Sequence, residues 1–232
     1  MSSVRPLHWA SRLALLIVSA AIWPLGIGLG QTAPGSPIVT DIPVAVGTER
    51  VLFLGTQGAR ALLVLLPGTD GIVGLDSEGG VHQLGGNFLV RTIGQWTAQG
   101  FDVVLPDAPN GTSLLGQRHL PAYVGAISRA IDFGRSRANL PVWLIATSQG
   151  SIAAVNGAAH LGSKVAVSPP GDAPNILAAL TRSPRKELVM VTSGQIARRA
   201  SPCEANSPHG YLGIETMVVQ RISDWIRMAG AR

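Results

Sequence analysis

Three features of the 232-residue sequence predict an α/β fold, with a mostly parallel central sheet and helices on both faces. Short apolar runs recur along the chain, each closed by Gly, Pro or Asp. Several of them are followed by a segment with helical spacing. The runs are also continuously apolar rather than alternating, as strands covered on both faces require. The length suits one domain with a sizeable core. With 46% hydrophobic and 13% charged residues, a disordered chain is excluded.

The first 30 residues are set aside from the fold. Arg5, His8 and Arg12 precede an apolar run over residues 13–22, then Pro24 and a small-residue stretch ending at Gly30. This is the layout of an export signal, which puts the mature start near Gln31 and the protein in the periplasm or outside the cell. Pro24, Gly26, Gly28 and Gly30 break the run, so a spanning helix of about 20 apolar residues is not assembled. An uncleaved anchor is the alternative. Residues 31–40, rich in Pro, Gly and small polar residues, read as a linker, and residues 41–232 as the domain.

Within the domain, residues 51–54 and 61–66 are strands around the turn at 55–58, and they are expected to pair as an antiparallel hairpin. Residues 87–98 form a helix through Phe88, Val90, Ile93 and Trp96, stopped at Gly100. A buried strand follows at 101–105. The next helix covers 121–137, with Pro121 in its first turn and Val124, Ile127 and Ile131 on one face. Residues 142–146 are the central strand and 151–161 a helix of small residues. Residues 164–167 form a strand, 174–180 a helix, 188–192 the last strand and 214–228 the final helix.

The net charge of +5 falls to +3 once Arg5 and Arg12 leave with the signal. Arg182, Arg185, Lys186, Arg198 and Arg199 make the last third locally basic, but no aromatic interleaving accompanies them, so no nucleic-acid partner is expected. The single Cys203 forms no intrachain disulfide and is expected to be a small buried hydrophobe. No phosphate-binding loop follows a strand, and no cofactor is expected. Asp76, Glu78 and His82 lie together in a glycine-rich stretch at 71–86, but their spacing matches no metal site. That stretch reads as a mobile loop, a possible rim over the site, and Asp107 as a turn carboxylate.

The most informative segment is Val142-Trp143-Leu144-Ile145-Ala146-Thr147-Ser148-Gln149-Gly150-Ser151. A strand runs into a sharp turn with serine at its apex and then into a helix. Such a turn requires small residues two before and two after the serine, a need met by Ala146 and Gly150. The segment resembles the nucleophile elbow of the α/β-hydrolase family, with alanine where glycine is usual, and the order of elements fits that family from about residue 51 to 228. The resemblance implies an α/β-hydrolase fold with an abbreviated C-terminal half and no cap domain.

It further implies Ser148 as nucleophile and a histidine later in the chain as base. His160 lies far along the helix that leaves the elbow, about 18 Å of helix rise from the serine. His209, in the turn-rich Ser207-Pro208-His209-Gly210-Tyr211, stands where the family places its base. The acid is sought between the two. Asp172, beyond the strand at 164–167, is the first choice, and a helix N-cap is its ordinary role. Glu204, in the His209 loop, is the alternative. The loop Leu66-Pro67-Gly68-Thr69-Asp70-Gly71 occupies the family's oxyanion position, which makes the backbone N–H groups of Thr69 and Gln149 the expected donors.

These assignments point to a serine hydrolase acting on a small carboxylic ester or amide through an acyl-enzyme. An inactive binding or scaffold protein on the same fold and an acyltransferase are the competing readings. The sequence leaves the oligomeric state open.

Overall fold

The computed structural model describes residues 35–161, 164–168, 178, 187, 189, 191 and 193–230. The chain divides into Met1–Gln31, which lies outside the described residues, and one compact unit, Thr32–Arg232. The predicted signal segment, Asp172 and all of the expected helix at 174–180 except Ala178, which is helical, also fall outside the described residues. Among the described residues no helix is long and apolar enough to cross a membrane.

Six strands form one sheet in the order β1-β2-β4-β3-β5-β6. They are β1 (Ile38–Val44), β2 (Gly47–Leu54), β3 (Leu62–Leu66), β4 (Asp102–Pro106), β5 (Val142–Thr147) and β6 (Lys164–Ser168). The last four run parallel, while β2 is antiparallel to both β1 and β4. Every residue of β3, β4 and β5 is buried, which explains their unbroken apolar sequences: each face needs a cover.

The pleat sends alternate side chains to opposite faces. Leu62, Val64 and Leu66 meet Tyr123, Ala126 and Ile127 of α3 (Pro121–Arg137) and Ala153 and Ala154 of α4 (Gly150–Leu161). Leu63 and Leu65 belong to the opposite layer. There α1 (Phe88–Arg91), α2 (Ile93–Ala98) and α5 (Glu215–Gly230) supply Phe88, Leu89, Trp96, Val218, Val219 and Ile226. A mostly parallel sheet between two helical layers, with a serine turn at the end of β5, next to the edge strand β6 in the described sheet, is the α/β-hydrolase fold. Among the described residues, no cap domain interrupts the loops that follow β3, β4 and β5.

Five expectations need correction. The strands at 51–54 and 62–66 do not form a hairpin, because β4 lies between them. A strand buried on both faces gains most with partners on both edges, and the turn residues at 55–58 do not dictate whom it pairs with. The hairpin that does form joins β1 to β2, with Ile38 opposite Phe53 and Val44 opposite Gly47. Strand β1 therefore begins inside the stretch read as linker; Asp41 and Pro43 disguised it, yet both are tolerated at a sheet edge. The helix at 87–98 is broken at Thr92, whose hydroxyl donates to the Phe88 carbonyl at 2.6 Å and accepts from Trp96 Nε1 at 3.1 Å. Cys203 is exposed rather than buried. Residues 187, 189 and 191, the described members of the expected last strand and its approach, carry no regular secondary structure.

Behind the sheet edge lies an unusual carboxyl group. Glu49 of β2 is 1% exposed and its Oε2 has no partner among the described residues. Burial, reinforced by the nearby Asp107 carboxylate, raises its pKa to about 8. The folded chain therefore keeps this proton while the unfolded chain loses it near the model-peptide value of 4.5. Stability must fall as pH rises from about 4.5 to about 8, and level off above. Glu49→Gln is expected to remove most of that slope and to be more stable than wild type at pH 8 by on the order of 3 kcal/mol. Urea unfolding at pH 5 and pH 8 checks this; equal slopes in the two proteins would contradict it.

Candidate active site

Strand β5 delivers Ser148 to the carboxyl end of the parallel strands, and α4 leaves from Gly150. Ser148 adopts φ +49°, a region that costs a non-glycine residue roughly 1–3 kcal/mol and persists only where the surroundings enforce it. Those surroundings are visible. A Cβ on Gly150 would overlap the carbonyl oxygen of Leu66 and stand 2.8 Å from that of Pro67. The helix start can therefore press onto the end of β3 only as glycine. The Ser151 N–H donates to the Ser148 carbonyl at 2.9 Å, closing the turn. Ala146 is buried between Leu66 of β3 and Val167 of β6, where its methyl group fits, so the departure from glycine is accommodated.

The loop after β3 lies directly against the serine. A Cβ on Gly68 would be 2.8 Å from Ser148 Cβ and 3.3 Å from its Oγ. Thr69 has φ +53°. Among the described residues no group accepts from the backbone N–H of Thr69 or of Gln149. Both are left available for a ligand oxygen.

Two arginines that the sequence did not single out shape the loops around this turn. The side chain of Arg118 is buried and donates from Nη2 to the carbonyls of Pro67 (3.2 Å) and Gly68 (3.1 Å). From Nη1 it donates to those of Thr69 (2.9 Å) and Leu114 (3.4 Å). Burial lowers its pKa, an effect opposed by nearby Tyr123 and Asp70. Arg91 does similar service on the other side. Its Nη1 donates to the carbonyls of Gly86 and Ala205, its Nη2 to that of Gly210 at 2.5 Å, and Nη2 and Nε both reach Glu215 Oε1, at 2.9 and 3.1 Å. Burial pushes the Glu215 carboxyl up, but hydrogen bonds from its own N–H and from Arg91 outweigh it and hold the group below its ordinary value.

Arg91 thereby fastens the loop that carries His209. That histidine is half-buried on the 3-10 turn Pro208–Gly210. Its backbone N–H donates to Ser207 Oγ, a fully buried hydroxyl whose single proton lies between the carbonyls of Pro202 and Glu204, both 2.7 Å away. A Cβ on Gly210 would overlap the Ala205 carbonyl, so the turn closes only around glycine. Phe88 packs edge-on against Tyr211 at 5.0 Å, and Asn87 Nδ2 reaches Thr147 Oγ1 at 3.5 Å. Residues 86–91 thus touch both the His209 loop and the residue that precedes Ser148.

Arg91→Met is expected to cost about 2 kcal/mol, because it leaves Glu215 and three carbonyls without their cation. Amide exchange should accelerate at Ala205 and Gly210 while the β5 amides stay protected. Unchanged exchange in the loop would contradict this assignment.

The structure does not assemble a complete triad. No hydrogen bond joins Ser148 Oγ to the His209 ring, and none joins that ring to the exposed Glu204 carboxylate, among the described residues. Asp172 lies outside them, as does the side chain of His160, which falls in the last turn of α4. The stretch at 71–86, expected as a mobile loop and possible rim, is hydrogen-bonded at several points. Asp107, buried, accepts from the N–H groups of Val73 (2.7 Å) and Leu75 (2.8 Å), which ties the loop to the end of β4. Asp76 accepts from Glu78 N, Gly80 N and His82 Nε2, at 2.9, 2.7 and 2.8 Å, and is held below its usual pKa first by His82. No group of three or more metal-ligating side chains exists among the described residues.

Neither a protein-family model nor a curated protein matches the sequence. Among solved structures, the chain is similar to an α/β serine hydrolase without lid from Xanthomonas campestris, at 16% identity and a TM-score of 0.43, over 61% of this chain and 65% of that one. It is also similar to an α/β serine hydrolase homologue from Coxiella burnetii, at 14% identity and a TM-score of 0.43, over 61% and 67% of the two chains. A cold-adapted esterase from an Arctic intertidal metagenomic library gives 15% identity and a TM-score of 0.43, over 56% and 59%. The chain thus spans less than two thirds of the length of the esterase and of the Xanthomonas hydrolase.

Proposed function

We propose that this protein is an exported serine hydrolase, an esterase for small carboxylic esters or amides, with Ser148 as nucleophile and His209 as general base. The observation that carries this reading is the strained turn at Ser148, packed against Gly68 and flanked by two backbone N–H groups that find no acceptor among the described residues. Strain of this kind has no use in a plain strand-to-helix connection and is expected where a hydroxyl must be held out toward a substrate.

In the proposed reaction Ser148 Oγ attacks the substrate carbonyl while His209 takes its proton. The N–H groups of Thr69 and Gln149 receive the developing oxyanion. The imidazolium then protonates the leaving alcohol or amine, and water resolves the acyl-enzyme by the reverse proton path. Asp172 is the proposed acid that fixes the imidazole tautomer, with Glu204 as the alternative. No cofactor or metal enters the scheme. With no cap among the described residues, the site suits short acyl groups, and p-nitrophenyl acetate should be turned over faster than p-nitrophenyl palmitate. A reversed preference would remove the small-ester assignment.

A second reading, a binding protein on the same fold that has lost catalysis, is favoured by one observation: His209 hydrogen-bonds neither Ser148 nor a described carboxylate. Apo catalytic hydrogen bonds are often long and tighten only with substrate, so this geometry does not decide against catalysis. Transfer of the acyl group to an alcohol or amine instead of water uses the same residues, and adding methanol to the assay separates it from hydrolysis by its product.

A further inference from the structure

Arg118 is 2% exposed, yet it is not hydrogen-bonded to any carboxylate among the described residues. Among the described residues all four of its bonds go to carbonyl oxygens, three of them on the consecutive residues Pro67, Gly68 and Thr69, and its Nε finds no partner there. Burying a guanidinium costs several kcal/mol, and an ordinary structural arginine recovers this from an anion. Here every hydrogen bond comes from a peptide dipole, with the Asp70 carboxylate acting only at longer range, and which peptides these are matters. The Gly68 carbonyl and the Thr69 N–H are the two ends of one planar, conjugated unit. A cation donating to that oxygen draws electron density through the unit and makes the N–H at its other end a stronger donor. The same fork ties three successive carbonyls in one direction, which turns their N–H groups the opposite way and fixes the left-handed conformation of Thr69.

We infer that Arg118 is a positioning residue for transition-state stabilisation: its buried guanidinium shapes and polarises the Gly68–Thr69 peptide so that the Thr69 N–H receives the oxyanion formed at Ser148. This rests on the serine-hydrolase reading above. The charge acts through the backbone, at the far end of the peptide unit from the reacting oxygen, and so leaves substrate binding in the ground state nearly untouched.

The test is the kinetics of covalent labelling by a fluorophosphonate, whose tetrahedral phosphoryl oxygen needs the same donors. Wild type, Arg118→Met and Arg118→Lys would be compared at several probe concentrations, so that kinact and KI separate. Removing a whole oxyanion donor costs 10²–10³-fold, so weakening one is expected to lower kinact about 10-fold in Arg118→Met, with KI within about 2-fold of wild type. Lysine, a point charge that cannot fork across three carbonyls, is expected to recover only part, leaving kinact about 3-fold low. A brace with no electrostatic part would reduce the fraction of protein that labels and not the rate constant of the fraction that does. Wild-type kinact in folded Arg118→Met overturns the inference and leaves the hydrolase reading standing; a wild-type protein that takes no label overturns both. If Arg118→Met does not fold, the lysine variant decides alone, and an unchanged kinact there overturns the inference.

Discussion

Ser148→Gly is expected to abolish ester hydrolysis and to stabilise the protein in the same stroke. Loss of the nucleophile should lower turnover of p-nitrophenyl acetate by about 10⁴-fold or more, since the members of such a site act as a unit. The positive φ of Ser148 is strained for any side chain but free for glycine, so the unfolding free energy should rise, by about 1 kcal/mol after allowing for the greater entropy of an unfolded glycine. His209→Ala should reproduce the activity loss without the gain, because His209 itself is not at positive φ. The two variants together separate strain held for function from an incidental kink: a Ser148→Gly protein no more stable than wild type would mean that the turn stores nothing, and retained turnover would mean that the chemistry lies elsewhere.

Gly150→Ala is expected to be among the most damaging single methyl groups in the described part of the chain, beside Gly210→Ala. Helix propensity alone predicts a gain of about 1 kcal/mol, because Gly150 opens α4. The added Cβ, however, would overlap the Leu66 carbonyl and crowd that of Pro67, both of them backbone atoms of the strand and loop beside it. Backbone cannot rotate away as a side-chain tip can, so α4 must lift off β3 or the serine turn must open. A net loss of about 3 kcal/mol or more is expected, with esterase activity falling as the Gly68 contact is disturbed. Urea unfolding and the p-nitrophenyl acetate assay measure both parts. A variant as stable as wild type would show that the turn and the loop after β3 are not packed as described.

The segments legible in the sequence share one property: their own residues decide their structure. The strands β3, β4 and β5 are buried on both faces and read as unbroken apolar runs, and α3 matches its predicted bounds because Pro121 and its apolar stripe fix them locally. The serine turn could be read because a small residue two before and a glycine two after it are steric requirements written in the sequence. What could not be read depends on distant partners. Strand β1 contains Asp41 and Pro43 and no turn signal, and its hairpin is held from outside by Asn110, which accepts from the Thr48 N–H at 3.0 Å and donates to the Val46 carbonyl. Arg118 binds carbonyls about 50 residues away in sequence and Arg91 others more than 110 away, and a lone arginine announces no such partner. Asp107 looked like a turn residue because the amides it clamps, Val73 and Leu75, lie more than 30 positions earlier.

Covalent labelling of the chain with a fluorophosphonate, followed by peptide mass mapping, tests the central claim most directly. An activated Ser148 displaces fluoride from phosphorus and passes its proton to His209, so the account predicts one stoichiometric adduct on the peptide containing Ser148, lost in Ser148→Ala. Folded wild-type protein that remains unlabelled, or that carries the adduct on another residue, would contradict it.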